Sequence, residues 1–144
     1  MQKFFIKNKD EMAKFAKDFA AKISNGIIIG LKGDLGVGKS FFAQNFINSL
    51  LDKKTEILSP TFNLVCSYNS KRGKIFHFDL YRLKNFEDLE NIGFFDGCKN
   101  SICLIEWPQI AKKFLEKLPY GKYIELEIKI IGEEEREVFV DNHR

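Results

Sequence analysis

Gly33-Asp34-Leu35-Gly36-Val37-Gly38-Lys39-Ser40 places two glycines with four residues between them, followed directly by a lysine and a hydroxyl residue. That is the full phosphate-loop pattern. Its glycines let the backbone curl so that successive N–H groups, from Asp34 through Leu35, Gly36, Val37 and Gly38 to Lys39, Ser40 and Phe41, can point at phosphate oxygens. A helix opening near Lys39 would add its positive N-terminal end. Lys39 would neutralise β- and γ-phosphate charge, and the Ser40 hydroxyl would coordinate a Mg²⁺ held mostly by phosphate oxygens and water. Taken alone, the same residues could form a glycine-rich turn with an exposed lysine. Their position between a buried strand and an amphipathic helix favours the loop.

A Mg²⁺ site of this kind needs a carboxylate at the end of a neighbouring strand. Ile102-Cys103-Leu104-Ile105 ends in Glu106, at the edge where open sheets bind ligands. Glutamate where aspartate is usual weakens the generic match, and an ordinary strand-end acid is the alternative. Trp107, the sole tryptophan, precedes Pro108, which predicts an extended or turn backbone; as an isolated feature it fits a core anchor at least as well as a ligand stack. In His77-Phe78-Asp79-Leu80-Tyr81-Arg82 a strand puts His77 and Asp79 on one face, able to position a water or metal or simply to form a solvated polar face. Ser59-Pro60-Thr61-Phe62 occupies the connection where P-loop enzymes often carry a nucleotide-sensing switch; a proline-directed turn is the alternative.

The elements that must hold these residues follow from periodicity. Met12, Phe15, Ala16, Phe19, Ala20 and Ile23 fall on one helical face, with Asn8 and Glu11 at capping-box spacing and Ser24-Asn25-Gly26 as the stop. Ile27 to Leu31 reads as a strand buried on both faces, and the helix after the loop has Phe41, Phe42, Phe46, Ile47 and Leu50 as its apolar side. Ile57 to Leu58, Phe62 to Tyr68 and Lys74 to Leu80 read as extended, the last two joined as a hairpin through Asn69 to Gly73. A short helix is expected from near Asn85 to Gly93, a strand over Ser101 to Ile105, a helix from Pro108 to about Leu115, a turn at Pro119 to Gly121, and closing strands over Tyr123 to Ile131 and Val138 to Val140.

With 144 residues, no repeat and no linker, residues 1–144 are expected to form a single domain. A 44% hydrophobic and 30% charged composition excludes disorder and low complexity. Phe4-Phe5-Ile6 is too short for a signal-peptide core and no apolar run approaches a membrane span, so a cytoplasmic protein without membrane contact is expected. The net charge of +3 neither demands nor excludes a nucleic-acid partner. Cys66, Cys98 and Cys103 lack metal-ligand spacing and read as buried free thiols.

In order along the chain, GDLGVGKS, SPTFNLV, HFDLYRL, ENIG and LIEWP, spread from Gly33 to Pro108, resemble the TsaE (YjeE) family of bacterial ATPases. The resemblance implies an α/β P-loop NTPase fold, three-layered, with a mixed central sheet flanked by helices. It implies ATP and Mg²⁺ as cofactors and a role in forming N6-threonylcarbamoyladenosine at position 37 (t6A37) of tRNAs that read codons beginning with A. The partners implied are TsaB and TsaD, with TsaD performing the transfer and tRNA contact indirect. Residue by residue, Lys39 would hold phosphate, Ser40 and Glu106 Mg²⁺, Asp79 would serve hydrolysis, Trp107 would lie beside the nucleotide and Thr61 would act as a switch. The family more often has threonine at the Ser40 position, a change that keeps the hydroxyl. The segment from Ile6 to Glu11 lies where the family approaches adenine.

Other classes fit less well. A small-molecule kinase usually gathers several arginines and a lid, whereas this chain has only Arg72, Arg82, Arg136 and Arg144 and no insertion of lid length. A GTPase would need Asn-Lys-x-Asp after the loop; the nearest string, Asn8-Lys9-Asp10-Glu11, precedes it. A nucleotide-binding module without catalysis is the remaining alternative.

Overall fold

A computed structural model describes residues 1–52 and 64–143. The expectations for Ile57 to Leu58 and for Thr61 lie outside the described residues. The chain runs β1 (Gln2–Ile6), α1 (Lys9–Lys22), β2 (Ile28–Lys32), α2 (Lys39–Leu50), β3 (Val65–Ser70), β4 (Gly73–Asp79), α3 (Asp88–Asn91), α4 (Phe94–Gly97), β5 (Ile102–Glu106), a 3-10 turn (Pro108–Ala111), α5 (Lys112–Leu115), β6 (Tyr123–Ile130) and β7 (Arg136–His143).

All seven strands join one sheet in the order β1-β7-β6-β2-β5-β4-β3. The inner four, β6, β2, β5 and β4, are mutually parallel, while β7, β1 and β3 are antiparallel to their neighbours. The sheet is therefore mixed. Its parallel centre reads as continuous apolar sequence because both faces are covered. Along β5, Ile102 and Leu104 pack on the side of α1 and α2, and Cys103 and Ile105 on the side of α3, α4 and α5. Three layers result.

Helix α1 starts where expected. Asn8 Oδ1 accepts the Glu11 N–H at 2.9 Å, but the Glu11 carboxylate reaches back to the Lys7 N–H at 2.8 Å, one residue before the cap. At its other end Arg72, from the β3–β4 turn, donates to the carbonyls of Ala20 and Ile23 and to Asn25 Oδ1, closing carbonyls that the helix leaves unpaired. The phenylalanines of α1 and α2 interlock, with Phe19, Phe42 and Phe46 ring centroids 6.0 to 6.4 Å apart.

Several expectations need correction. β1 was not expected, because Phe5 is 53% exposed and the strand is defined by pairing with β7, far along the chain. The helix expected from Asn85 begins only at Asp88; it stops before Gly93 as expected, but Gly93, at φ 72°, also starts a separate turn, α4, that was not expected. Pro108 opens a 3-10 turn before the α-helical one. The last strand extends well beyond Val138 to Val140. Cys98 and Cys103 are buried free thiols, whereas Cys66 is half-buried. Among the described residues no helix is long and apolar enough to cross a membrane.

Replacing Phe46, fully buried in the α1–α2 layer, with alanine should cost about 3–5 kcal/mol in urea unfolding, against no more than ~0.5 kcal/mol for Phe5→Ala.

Candidate functional site

The parallel strands end together at one edge of the sheet, and the chemistry-bearing residues meet there. β2 runs into the loop Gly33–Gly38; β5 ends in Glu106 and β4 in Asp79, with Glu106 in register with both Leu31 and Asp79. The ladder continues past the strands: the Trp107 N–H donates to Leu31 O at 3.3 Å and the Leu80 N–H to Glu106 O at 3.1 Å. Residues distant in sequence are thus fixed by backbone pairing before any side chain acts.

Gly33 is required by crowding. At φ 145°, any Cβ there would lie 2.7 Å from Ile128 O and from the Val37 side chain. Lys39 opens α2 and folds back so that Nζ donates to Gly33 O at 2.5 Å and Asp34 O at 2.9 Å, 4.0 Å from the centre of the Trp107 ring. Burial lowers the lysine pKa, while Glu106, Asp79 and Asp34 favour the charged form.

Ser40 Oγ lies 3.0 Å from both oxygens of Glu106, and His77 Nε2 lies 2.7 Å from Glu106 Oε2. Glu106 and His77 are buried, and a carboxylate acceptor calls for the Nε2–H form of the imidazole. Asp79, also buried, accepts the Tyr81 N–H at 3.1 Å. Burial raises its pKa above the ordinary carboxylate range, and the neighbouring Glu106 acts in the same direction. His77 and Asp79 therefore do not form a solvated strand face: both are enclosed at the site, His77 against Glu106.

Trp107 departs from the extended backbone expected before proline. It takes left-handed φ 58°, ψ 60°, and its ring packs on Tyr81 with centroids 4.7 Å apart. Together Leu35, Lys39, Ser40, Asp79, Glu106 and Trp107 line an open cleft of about 460 Å³, with Gly36, Gly38, Phe41, Tyr81 and Arg82 completing its wall. A separate hollow of about 260 Å³ lies across the loop, where Asn8, Lys9, Met12 and Phe41 approach Val37 and Arg136. A larger one, about 760 Å³, sits at the opposite edge of the sheet between Phe4, Phe15, Phe19 and Ile124, away from the convergent polar groups.

The donor set fits a nucleotide with a hard cation. No side chain caps the N-terminus of α2, leaving its first N–H groups for an anion. One hydroxyl and one carboxylate are too few for an all-protein cage and suit a Mg²⁺ held chiefly by phosphate oxygens and water. Sequence reasoning placed Lys39, Ser40, Glu106, Asp79 and Trp107, and the structure brings these five together. It missed Tyr81 and Arg82 in the cleft wall and the pairing of His77 with Glu106; the shared strand face of His77 and Asp79 was the available signal for the last.

The family model for the threonylcarbamoyl adenosine biosynthesis protein TsaE matches residues 6–138. Among curated relatives, the tRNA threonylcarbamoyladenosine biosynthesis protein TsaE of Rickettsia bellii is 37% identical over 131 residues, covering 91% of this chain and 88% of that protein. TsaE of Bacillus subtilis is 34% identical over 132 residues, covering 91% and 79%. The crystal structure of Bacillus subtilis YdiB superposes with a TM-score of 0.72 at 29% identity, covering 98% of this chain and 85% of that one, in keeping with the P-loop NTPase fold. The chain belongs to the TsaE family of threonylcarbamoyl adenosine biosynthesis proteins.

Proposed function

We propose that this protein is a Mg²⁺-dependent ATPase that works in the cytoplasm with TsaB and TsaD to form t6A37 in tRNAs reading codons beginning with A. In this reading the whole chain acts as one domain, TsaD performs the transfer, and tRNA contact is indirect. The observation that carries the ATPase reading is the convergence of Lys39, Ser40, Glu106 and Asp79 on the uncapped start of α2.

Lys39 exchanges its loop carbonyls for β- and γ-phosphate oxygens, placing its charge where negative charge accumulates. Ser40 and Glu106, whose oxygens already meet, would hold Mg²⁺, which when bound would neutralise phosphate charge. His77 keeps the Glu106 carboxylate oriented. Asp79 positions the attacking water and draws its proton, a role suited to a carboxylate whose pKa burial has raised. Trp107 and Tyr81 wall the phosphate end, and adenine fits the hollow beside Asn8, Lys9, Met12 and Phe41. Thr61 acts as a switch residue. Leu35 and Tyr81 are 66% and 53% exposed on the cleft wall, an apolar rim that supports partner docking over the site and faster hydrolysis in the complex.

Lys39→Ala should weaken Mg-ATP binding about 100-fold in calorimetry and abolish turnover while the fold survives; parent-like affinity would remove the loop from the reading. Glu106→Gln should retain part of the nucleotide affinity but lower hydrolysis by about 100-fold across a Mg²⁺ titration, with Ser40→Ala acting in the same direction. Unchanged rates would dismiss the pair as cation ligands.

Asp79→Asn should still bind ATP and assemble with partners, yet lose turnover by about 10²–10³-fold. Its effect on stability has the opposite sign. A raised folded-state pKa means that the stabilising contribution of Asp79 is present in acid and lost as pH rises through that value, so at neutral pH the charged group destabilises the fold. The amide can retain the bond from the Tyr81 N–H, and the thermal midpoint at pH 7 should stay level or rise by about 1–3 °C. A fall of several degrees would make Asp79 a structural residue.

A further inference from the structure

We propose that Arg136 is a positioning residue that fixes the peptide plane between Val37 and Gly38 and so aims the Gly38 N–H at bound phosphate; the inference rests on the nucleotide reading of the loop. Arg136 opens β7, 99 residues from Val37. Its Nε–H donates to Val37 O at 3.0 Å, and Nη1 donates to Glu135 O at 3.0 Å, Gly132 O at 3.3 Å and Glu133 O at 3.4 Å. All four acceptors are backbone carbonyls, although the turn itself carries three glutamates. The guanidinium is thus a rigid fork between the β6–β7 turn and the middle of the phosphate loop.

The consequence follows from peptide geometry. The bond is trans, so the carbonyl of Val37 and the N–H of Gly38 point in opposite directions. Holding Val37 O toward Arg136 turns the Gly38 N–H away from it. Of the hollow beside α1 and the cleft, Val37 and Arg136 line only the hollow, while Gly38, at the boundary, lines both that hollow and the cleft with Lys39, Ser40 and Glu106. The N–H is thereby directed to the phosphate side.

Little else holds this plane. Gly38, at φ 112°, has no Cβ to resist rotation of the preceding peptide. A flip would present a carbonyl oxygen to the phosphate, replacing attraction with repulsion. The buried Val37 side chain anchors the residue but does not choose between the two orientations of the peptide that follows it.

The test uses inorganic pyrophosphate, which probes the phosphate cup without the base, and ADP, both by calorimetry below the thermal midpoint of each variant. Arg136→Ala should bind both about 10-fold or more weakly than the parent. Arg136→Lys, which keeps the charge but not the fork, should remain well below the parent. In the parent, the Gly38 amide proton resonance should move downfield on adding pyrophosphate, and in the variants this shift should be lost or reversed. Parent-like affinity and an unchanged Gly38 shift in Arg136→Ala, with only a lower thermal midpoint, would overturn the proposal and leave Arg136 as a turn clamp. Full recovery by lysine would also overturn it, assigning the effect to charge alone. Failure of the parent itself to bind pyrophosphate and ADP would instead overturn the nucleotide reading on which the proposal rests.

Discussion

Everything at the site depends on one buried carboxylate. Glu106 ends the inner strand β5 with its side chain almost wholly out of water, and an acid in that position is tolerated only when its oxygens are engaged. Ser40 from α2 meets both oxygens and His77 from β4 meets one, so three segments separated in sequence are tied to a single group. The arrangement is a stored polar cluster that a cation and phosphate can re-partner without moving the strands. Preorganisation of this kind costs stability in the folded protein and returns it on binding.

The sheet supplies the precision. Parallel pairing sets Leu31, Glu106 and Asp79 side by side, and backbone bonds beyond the strand ends hold Trp107 after β5 and Leu80 after β4. Unusual backbone conformations gather in these loops: Gly33 and Gly38 adopt conformations that suit glycine, and Trp107, like Leu64 and Asn100 elsewhere, takes a left-handed backbone, here immediately before proline with its ring against Lys39 and Tyr81. The helices behind them are ordinary amphipathic elements packed through phenylalanine.

What was legible in the sequence was local chemistry and strong periodicity. The phosphate loop could be read because its function needs particular residue types at fixed spacing, and Glu106 because a buried strand run ends in an acid. Only the shared strand face of His77 and Asp79 hinted at the pairing of His77 with Glu106, since the partner is set by the register of β4 against β5. β1 was hidden for a similar reason: its exposed Phe4 and Phe5 give no alternation, and its existence depends on β7. Arg136 lacked any local signal, because its partner in the loop is set by how the β6–β7 turn folds over the sheet edge. The separate turn α4 was missed because Gly93 can restart a helix as readily as end one.

In the proposed function, hydrolysis at this cleft drives tRNA modification through partner proteins. This is tested most directly by multiple-turnover t6A formation with purified TsaB, TsaD, tRNA and the remaining substrates, with and without this protein, while ATP hydrolysis is followed in the same reaction. Hydrolysis should be slow in the isolated chain and faster in the complex, with repeated cycles of modification only when this protein is present. Equal cycling without it, or hydrolysis indifferent to the partners, would show that this cleft does not drive the modification.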